Sequence, residues 1–107
     1  MGLDAWLYVK KGDITEETAY WRRHSSLNTY MAVLFFKQFP EADIDSFNGG
    51  RTFLAEKDVD EIIKFTKEDE FADDYWTDAD KASNLETFHR VKEYLQNGYT
   101  AYYECSY

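Results

Sequence analysis

The chain of 107 residues contains one cysteine, one proline and five glycines. Because Cys105 is the single cysteine, no disulfide can form within the chain, as is usual in a reducing compartment. So little proline and glycine excludes a linker or low-complexity chain. The longest apolar run, Met31 to Phe36, is six residues, whereas a membrane helix needs ~20. Asp4 interrupts the apolar start, which is unlike a signal peptide. We therefore expect a soluble, intracellular protein without a membrane partner.

Aromatic residues, by contrast, are abundant, with nine Tyr, eight Phe and three Trp. Together with an apolar content of 44%, they are sufficient for a hydrophobic core and exclude a disordered acidic tail. The length fits a single domain over residues 1–107. Because the polar atoms of Tyr and Trp need hydrogen-bond partners, these side chains are also frequent at protein interfaces.

The net charge of −9 is confined to the middle of the chain. Residues 41–80 contain fourteen Asp and Glu against four Lys and Arg, a balance of −10. The remaining residues carry seven acids and eight bases, a balance of +1. This distribution predicts one acidic face on an otherwise neutral protein. It points to a basic protein partner rather than to direct binding of nucleic acid.

The first forty residues predict one strand and one long helix. The strand covers residues 3–10, which are aromatic and apolar and precede a Lys-Gly-Asp turn. From Ile14 we expect a helix, with Thr15 as its N-cap and two glutamates in its first turn. A break near Ser25 divides this helix, and Pro40 ends it.

The second half predicts two more helices and two more strands. A short strand covers residues 51–55, a helix begins at Glu56 or Lys57, and an irregular acidic segment covers residues 67–80. A further helix is capped by Thr77 or by the residue after it, and residues 99–107 form a terminal strand. The order β–α–β–α–α–β predicts an α+β fold. Its small antiparallel-type sheet includes the N- and C-terminal strands and packs against about three helices.

Three segments of the chain are similar, in order, to a group of small phage-encoded proteins of unassigned function: Met1-Gly2-Leu3-Asp4 followed by Trp6-Leu7, then Ala19-Tyr20-Trp21-Arg22-Arg23, and finally Tyr102-Tyr103-Glu104-Cys105-Ser106-Tyr107. The corresponding segments of that group are typically Met-Gly-Leu-Asp-Met-Tyr-Leu, Tyr-Trp-Arg-Lys and Tyr-Gln-Ser-Ser-Trp. Ala5 and Cys105 depart from the usual Met and Ser. The resemblance spans most of the chain, and its specific part is at the two ends. It implies a phage or prophage origin and expression in the cytoplasm of a bacterial host, and it carries over no catalytic residues.

The acidic stretch is the candidate site, because spaced carboxylates present a potential like that of a phosphate backbone. Aromatic side chains in the same stretch, Phe71 among them, supply the anchors that charge alone does not provide. The predicted partner-binding residues are Asp58, Asp60, Glu61, Glu68, Asp69, Glu70, Asp73, Asp74, Tyr75, Trp76, Asp78 and Asp80. The alternative interpretation is a solvated acidic side that keeps a small protein soluble.

Other chemistry has weak support in the sequence. No glycine occurs between Gly50 and Gly98, so an EF-hand loop is absent, and we expect no metal and no cofactor. Cys105 with His24 or His89 is a conceivable thiol and base, but Cys105 lies in a strand-like end rather than at a helix N-terminus. No phosphate-binding glycine loop or nucleophile elbow is present. We therefore expect a protein that is not an enzyme.

Two hypotheses of different classes follow. The first is a phage-encoded inhibitor that occupies the basic, nucleic-acid-binding surface of a host protein, such as a restriction, CRISPR or transcription enzyme. The second is a small structural or accessory homo-oligomer whose aromatic residues make the contacts and which has no inhibitory role.

Overall fold

The computed structural model describes residues 2–74 and 76–107 and shows an α+β fold. Its four strands are β1 (Asp4–Lys11), β2 (Ile14–Arg22), β3 (Thr52–Leu54) and β4 (Thr100–Ser106). They form one antiparallel sheet in the order β2-β1-β4-β3. The predicted pairing of the first and last strands is confirmed, since Asp4 faces Ser106 and Lys10 faces Thr100 in the β1–β4 ladder.

The alternation of side chains along β1 separates the two faces of the sheet. Ala5, Leu7 and Val9 are buried beneath the helices, while Trp6 and Tyr8 between them point to the opposite face and are half-buried. In β4, Tyr103 shares the helix-facing side with Leu7 and is fully buried. Tyr102 lies on the helix-free face, where the rings of Tyr8 and Phe53 pack against it and it is 5% exposed.

The predicted helix from Ile14 is wrong, because β2 is a strand that pairs with β1 on both sides of an irregularity at Thr18. Lys11 pairs with Ile14 across a two-residue turn that contains Gly12 at φ 60°. The two glutamates that suggested a helix start lie instead on an exposed edge strand. An edge strand with one wet face lacks the apolar alternation that would have identified it, and the ladder with β1 overrides its local preferences.

Three helices pack on one face of the sheet: α1 (Ser25–Gln38), α2 (Glu56–Lys67) and α3 (Asp78–Gln96). The predicted break near Ser25 is where α1 begins, and its C-cap, Phe39, directly precedes Pro40. The predicted starts of α2 and α3 are confirmed, with Thr77 as the N-cap of α3. A short 3-10 helix at Ile44–Phe47 lies within the segment that connects α1 to β3.

One hydrophobic core fills the space between helices and sheet. Its largest fully buried side chains include Tyr103, Phe88, Leu7, Leu27 and Met31. Over residues 2–74 and 76–107, no helix combines the length and the apolar character needed to cross a membrane.

Candidate binding surface

The predicted acidic residues all lie on the helical side, in α2, in the α2–α3 connection (residues 68–77) and in the first turn of α3. Tyr75 is outside the described residues. Among the ten carboxylates of the predicted set, six contact other groups of the chain through hydrogen bonds or ion pairs, namely Asp58, Asp60, Glu61, Asp69, Asp73 and Asp80.

Three of these acids accept hydrogen bonds from main-chain N–H groups at the starts of the three helices. Asp58 accepts from the N–H of Ala55 at 2.8 Å, and Asp80 from the N–H of Thr77 at 2.9 Å. Asp73, far away in sequence, accepts from the N–H of Ser26 in the first turn of α1 at 3.1 Å. Because the first N–H groups of a helix lack partners within it, each acid satisfies a donor and complements the positive end of the helix dipole.

Asp73 also ends a chain of hydrogen bonds in the interior. The indole N–H of Trp21 donates to Asn84 Oδ1 at 2.8 Å, which directs Asn84 Nδ2 toward His24 Nε2 at 3.0 Å. Since Nε2 accepts, Nδ1 carries the proton and donates to Asp73 at 2.6 Å. His24 is 6% exposed, so this chain of hydrogen bonds satisfies a buried imidazole and occupies both of its nitrogens.

The remaining contacts join helices across the surface. Asp60 pairs with Lys92 of α3 at 2.7 Å, and Asp69 pairs with Lys81 at 3.0 Å. Glu61 accepts a hydrogen bond from the Tyr30 hydroxyl at 2.8 Å. Burial and, secondarily, this bond to Glu61 raise the pKa of Tyr30 above its usual value.

Four predicted acids face solvent without an ion pair or side-chain hydrogen bond to another described residue: Glu68, Glu70, Asp74 and Asp78. Three of them lie in the α2–α3 connection, which is held in place by the buried ring of Phe71. That ring packs against Tyr30 and Phe65, so Phe71 is a core residue rather than an anchor for a partner. We call Glu68, Glu70, Asp74 and Asp78 the free acids.

Trp76 is half-buried against the interior, with its ring 4.9 Å from the imidazole of His24. Its indole nitrogen is inaccessible to water and finds no acceptor among the described residues. Trp76 lines a cavity of about 570 Å³ between β2 and α3, as do His24 and Asp74. The sequence has no signal for this cavity, because its walls, β2 and α3, are distant in the chain and the local pattern of β2 favours a helix.

The candidate thiol is unsuited to nucleophilic chemistry. Cys105 is 1% exposed in β4, and burial raises the pKa of its thiol to about 11. The exposed His89 lies on α3 and does not hydrogen-bond the thiol, whose sulfur contacts the main-chain oxygen of Phe47 at 3.7 Å. Within residues 2–74 and 76–107, no cluster of His, Cys, Asp and Glu has the arrangement needed to hold a metal ion.

Comparison with known proteins adds no relative: no family model, no curated protein and no solved structure matches this chain.

Proposed function

We propose that this chain is a phage-encoded binding protein that inhibits or redirects a basic, nucleic-acid-handling or defence protein of a bacterial host. The observation that supports the proposal is the group of free acids, which are exposed and concentrated between Glu68 and Asp78. The other carboxylates of the predicted set bond donors or cations of the chain, whereas these four have no ion pair or side-chain hydrogen bond among the described residues. A cluster of this kind attracts a basic surface and accelerates encounter with it.

The decisive experiment separates the free acids from net charge. In the test variant, Glu68, Glu70 and Asp74 are replaced together by Lys. In the matched control, the equally exposed Glu41, Asp43 and Asp45 are replaced together by Lys. Both triple variants change the net charge equally. Affinity capture from host lysate, followed by a salt titration on the recovered partner, should show loss of binding in the first variant and near-normal binding in the second.

If this chain mimics a nucleic acid, its partner should bind either DNA or this chain, but not both at once. If the free acids occupy a nucleic-acid-binding channel, double-stranded DNA and this chain compete for the same protein, and the binding weakens steeply with added salt. A partner that binds DNA and this chain simultaneously would contradict the proposal, as would equal capture by the two triple variants.

The helix-free face of the sheet favours a second candidate, a homo-oligomer without inhibitory function. Five aromatic rings lie on this face: Trp6, Tyr8, Tyr20, Phe53 and Tyr102. Tyr20 and Phe53 are 50% and 40% exposed, and aromatic surfaces of this kind are frequent at interfaces.

Sedimentation equilibrium tests this second candidate. A dimer that persists in high salt and dissociates when Phe53 is replaced by Glu would support it. The matched control is Val33→Glu, since Val33 is 54% exposed on α1 on the other side of the sheet. A monomer at all concentrations would exclude the homo-oligomer.

A further inference from the structure

The outer face of α1 is uncharged although it faces solvent. From Ser25 to Phe36 the helix has no charged residue, and Lys37 is its one cation. A surface helix normally carries charged side chains on the side that faces water. Here the most exposed positions recur every four residues, with Thr29 and Val33 at the centre of the row, and Val33 is 54% exposed. Such a sequence is typical of a helix that is covered on both sides, whereas the core of this chain covers only one.

An apolar groove of about 540 Å³ lies along this row. It is lined by Thr29, Ala32 and Phe36 of α1 and by Phe47 and Tyr107. The rings of Phe47 and Tyr107 are 6.4 Å apart, and Tyr107 is 49% exposed. Because Thr29 and Ala32 are small, they leave a depression on the helix surface, and the ring of Phe36 stands one turn beyond it.

The charge of the groove identifies the kind of molecule that can cover it. No acid is among the described residues that line the groove, so the basic partner proposed above finds no carboxylate there. Elsewhere the net charge of −9 makes two copies of this chain repel each other. This repulsion is weakest where the surface carries no acid. A second copy that approaches with its own α1 is therefore the occupant that the charges favour.

The shape of the row is complementary to itself. Thr29 and Phe36 are equally distant from the midpoint between Ala32 and Val33. When two α1 helices lie antiparallel about a two-fold axis at this midpoint, Phe36 of one copy faces Thr29 of the other, and symmetry repeats the contact. A bulky ring therefore meets a small side chain at both ends of the interface, which is how well-packed surfaces interdigitate.

The same arrangement brings opposite charges together. Lys37 of one copy lies level with Asn28 of the other, near the start of its α1. That start is bonded to the acidic α2–α3 connection: Asp73 accepts the N–H of Ser26, and the Ser26 hydroxyl donates to the main-chain oxygen of Phe71 at 2.9 Å. The single cation of each α1 thus faces the acidic connection of the other copy. In a parallel pair the two Lys37 side chains would face each other instead.

We propose that this chain forms a two-fold symmetric dimer in which the outer faces of two antiparallel α1 helices pack against each other. Contact between apolar side chains supplies the attraction, and Lys37 selects the antiparallel direction. This interface lies on the other side of the sheet from the aromatic face, and it does not depend on the proposed function. Since fourteen residues of helix are about 21 Å long, the contact is small, and we expect dimers in equilibrium with monomers at micromolar concentrations.

Sedimentation equilibrium of the full chain over micromolar concentrations tests the dimer. Val33→Glu places two like charges beside the two-fold axis and should weaken the dimer at least about tenfold. Phe53→Glu makes the same change of charge on the helix-free face and should leave the dimer unchanged. A monomer at all concentrations, equal weakening by the two variants, or dissociation by Phe53→Glu alone would overturn the proposal.

A pair of variants at one exposed position tests the packing. Thr29→Trp fills the depression that receives Phe36 of the other copy and should weaken the dimer several-fold. Thr29→Ala keeps the depression open and should leave the dimer near its original strength. Because Thr29 is exposed, both variants leave the core intact. A dimer that Thr29→Trp leaves unchanged or strengthens would contradict the antiparallel packing.

The charge contact is tested by Lys37→Glu against Lys10→Glu, an equal change on β1. Lys37→Glu should weaken the dimer several-fold at low salt, and added salt should reduce the difference between the two variants. Equal dimer affinities at low salt would overturn the antiparallel arrangement. Capture of a host partner by Val33→Glu reports on the proposed function alone, because this variant keeps all the free acids. Failure of the dimer and failure of the inhibitor are therefore read separately.

Discussion

The acids that bond the starts of the three helices and the other acids of the α2–α3 connection lie within one stretch of the chain, but their surroundings differ. Asp58, Asp73 and Asp80 each accept a main-chain N–H at the start of a helix. Glu68 and Asp74, in the connection, make no side-chain hydrogen bond or ion pair with another described residue. The net charge of the segment is therefore a mixture of acids that stabilise the fold and acids that face solvent, and only the second group is available to a partner.

Neighbours in the chain show the contrast most sharply. Asp73 is bonded to His24 and to the start of α1, while Asp74 beside it is exposed. Charge reversal at both positions together would therefore mix unfolding with loss of binding. Variants that test binding belong at Asp74, and variants that test stability belong at Asp73.

The largest difference in the free energy of unfolding is expected between the variants Asp73→Ala and Asp74→Ala. Removing Asp73 leaves the buried Nδ1–H of His24 and the N–H of Ser26 without an acceptor, which costs about 2–4 kcal/mol of unfolding free energy. Asp74→Ala should change it by less than about 0.5 kcal/mol. Urea denaturation of both variants measures the difference. Equal stabilities would show that the Trp21–Asn84–His24–Asp73 chain of hydrogen bonds contributes nothing.

The next effect concerns the start of α3. Asp80→Ala removes the acceptor of the Thr77 N–H and should lower the unfolding free energy by about 1 kcal/mol. Asp78→Ala, in the same first turn but without that bond, should lower it by only about 0.3 kcal/mol through the helix dipole. Thermal melts of the pair provide the comparison, and a larger effect at Asp78 would contradict the assigned cap.

The difference between an acid that bonds the fold and a free acid should also appear in the stability at alkaline pH, because Glu61 bonds the hydroxyl of Tyr30. The pKa of Tyr30 is raised in the folded chain, first by burial and then by Glu61. The neutral phenol therefore contributes fully to the free energy of unfolding below pH 10, and this contribution is lost as the pH rises above 10. Glu61→Gln weakens one cause of the raised pKa. Its free energy of unfolding should therefore fall less steeply with rising pH than that of Glu68→Gln, with a difference of less than about 1 kcal/mol. Other groups with raised pKa values, including Cys105, are common to both variants and cancel in the difference. Melting curves from pH 8 to 11 would record it; parallel curves would show that Glu61 does not act on Tyr30.

The smallest effect should come from the exposed ion pair between Asp60 and Lys92. Because solvent and salt screen such a pair, Asp60→Ala should differ from Glu68→Ala only slightly, and the difference should vanish in high salt. A large, salt-independent loss of stability in Asp60→Ala would mean that the ion pair fixes the packing of α2 against α3. Asp60 would then be an acid that stabilises the fold, like Asp58, Asp73 and Asp80.

Part of this architecture was predictable because its signals are local. The stripe of Val59, Ile62 and Ile63 identified α2, and Thr77 marked the start of α3. The aromatic segments at the two ends indicated strands that pair. The error at β2 has a physical cause: Glu16 and Glu17 fit the first turn of a helix, and only the ladder with β1 shows that they belong to an edge strand.

The sequence predicted where the acidic site lies, but not which of its residues stabilise the fold and which face solvent. Sequence placed the acids in one stretch, yet it had no signal that Asp73 contacts His24 across forty-nine positions or that Phe71 lies in the core. The cavity between β2 and α3 was missed for the same reason, since its two walls are separate in the chain.

The sequence by itself determined the α+β class, the starts of α2 and α3 and the confinement of negative charge to residues 41–80, because propensity, periodicity and composition are properties of neighbouring residues. Only the tertiary structure decided which acids are compensated, which aromatic rings are buried, and which strands lie at the edges of the sheet. These depend on contacts between residues distant in the chain, and burial and hydrogen bonding across such contacts fix the surroundings of each charge.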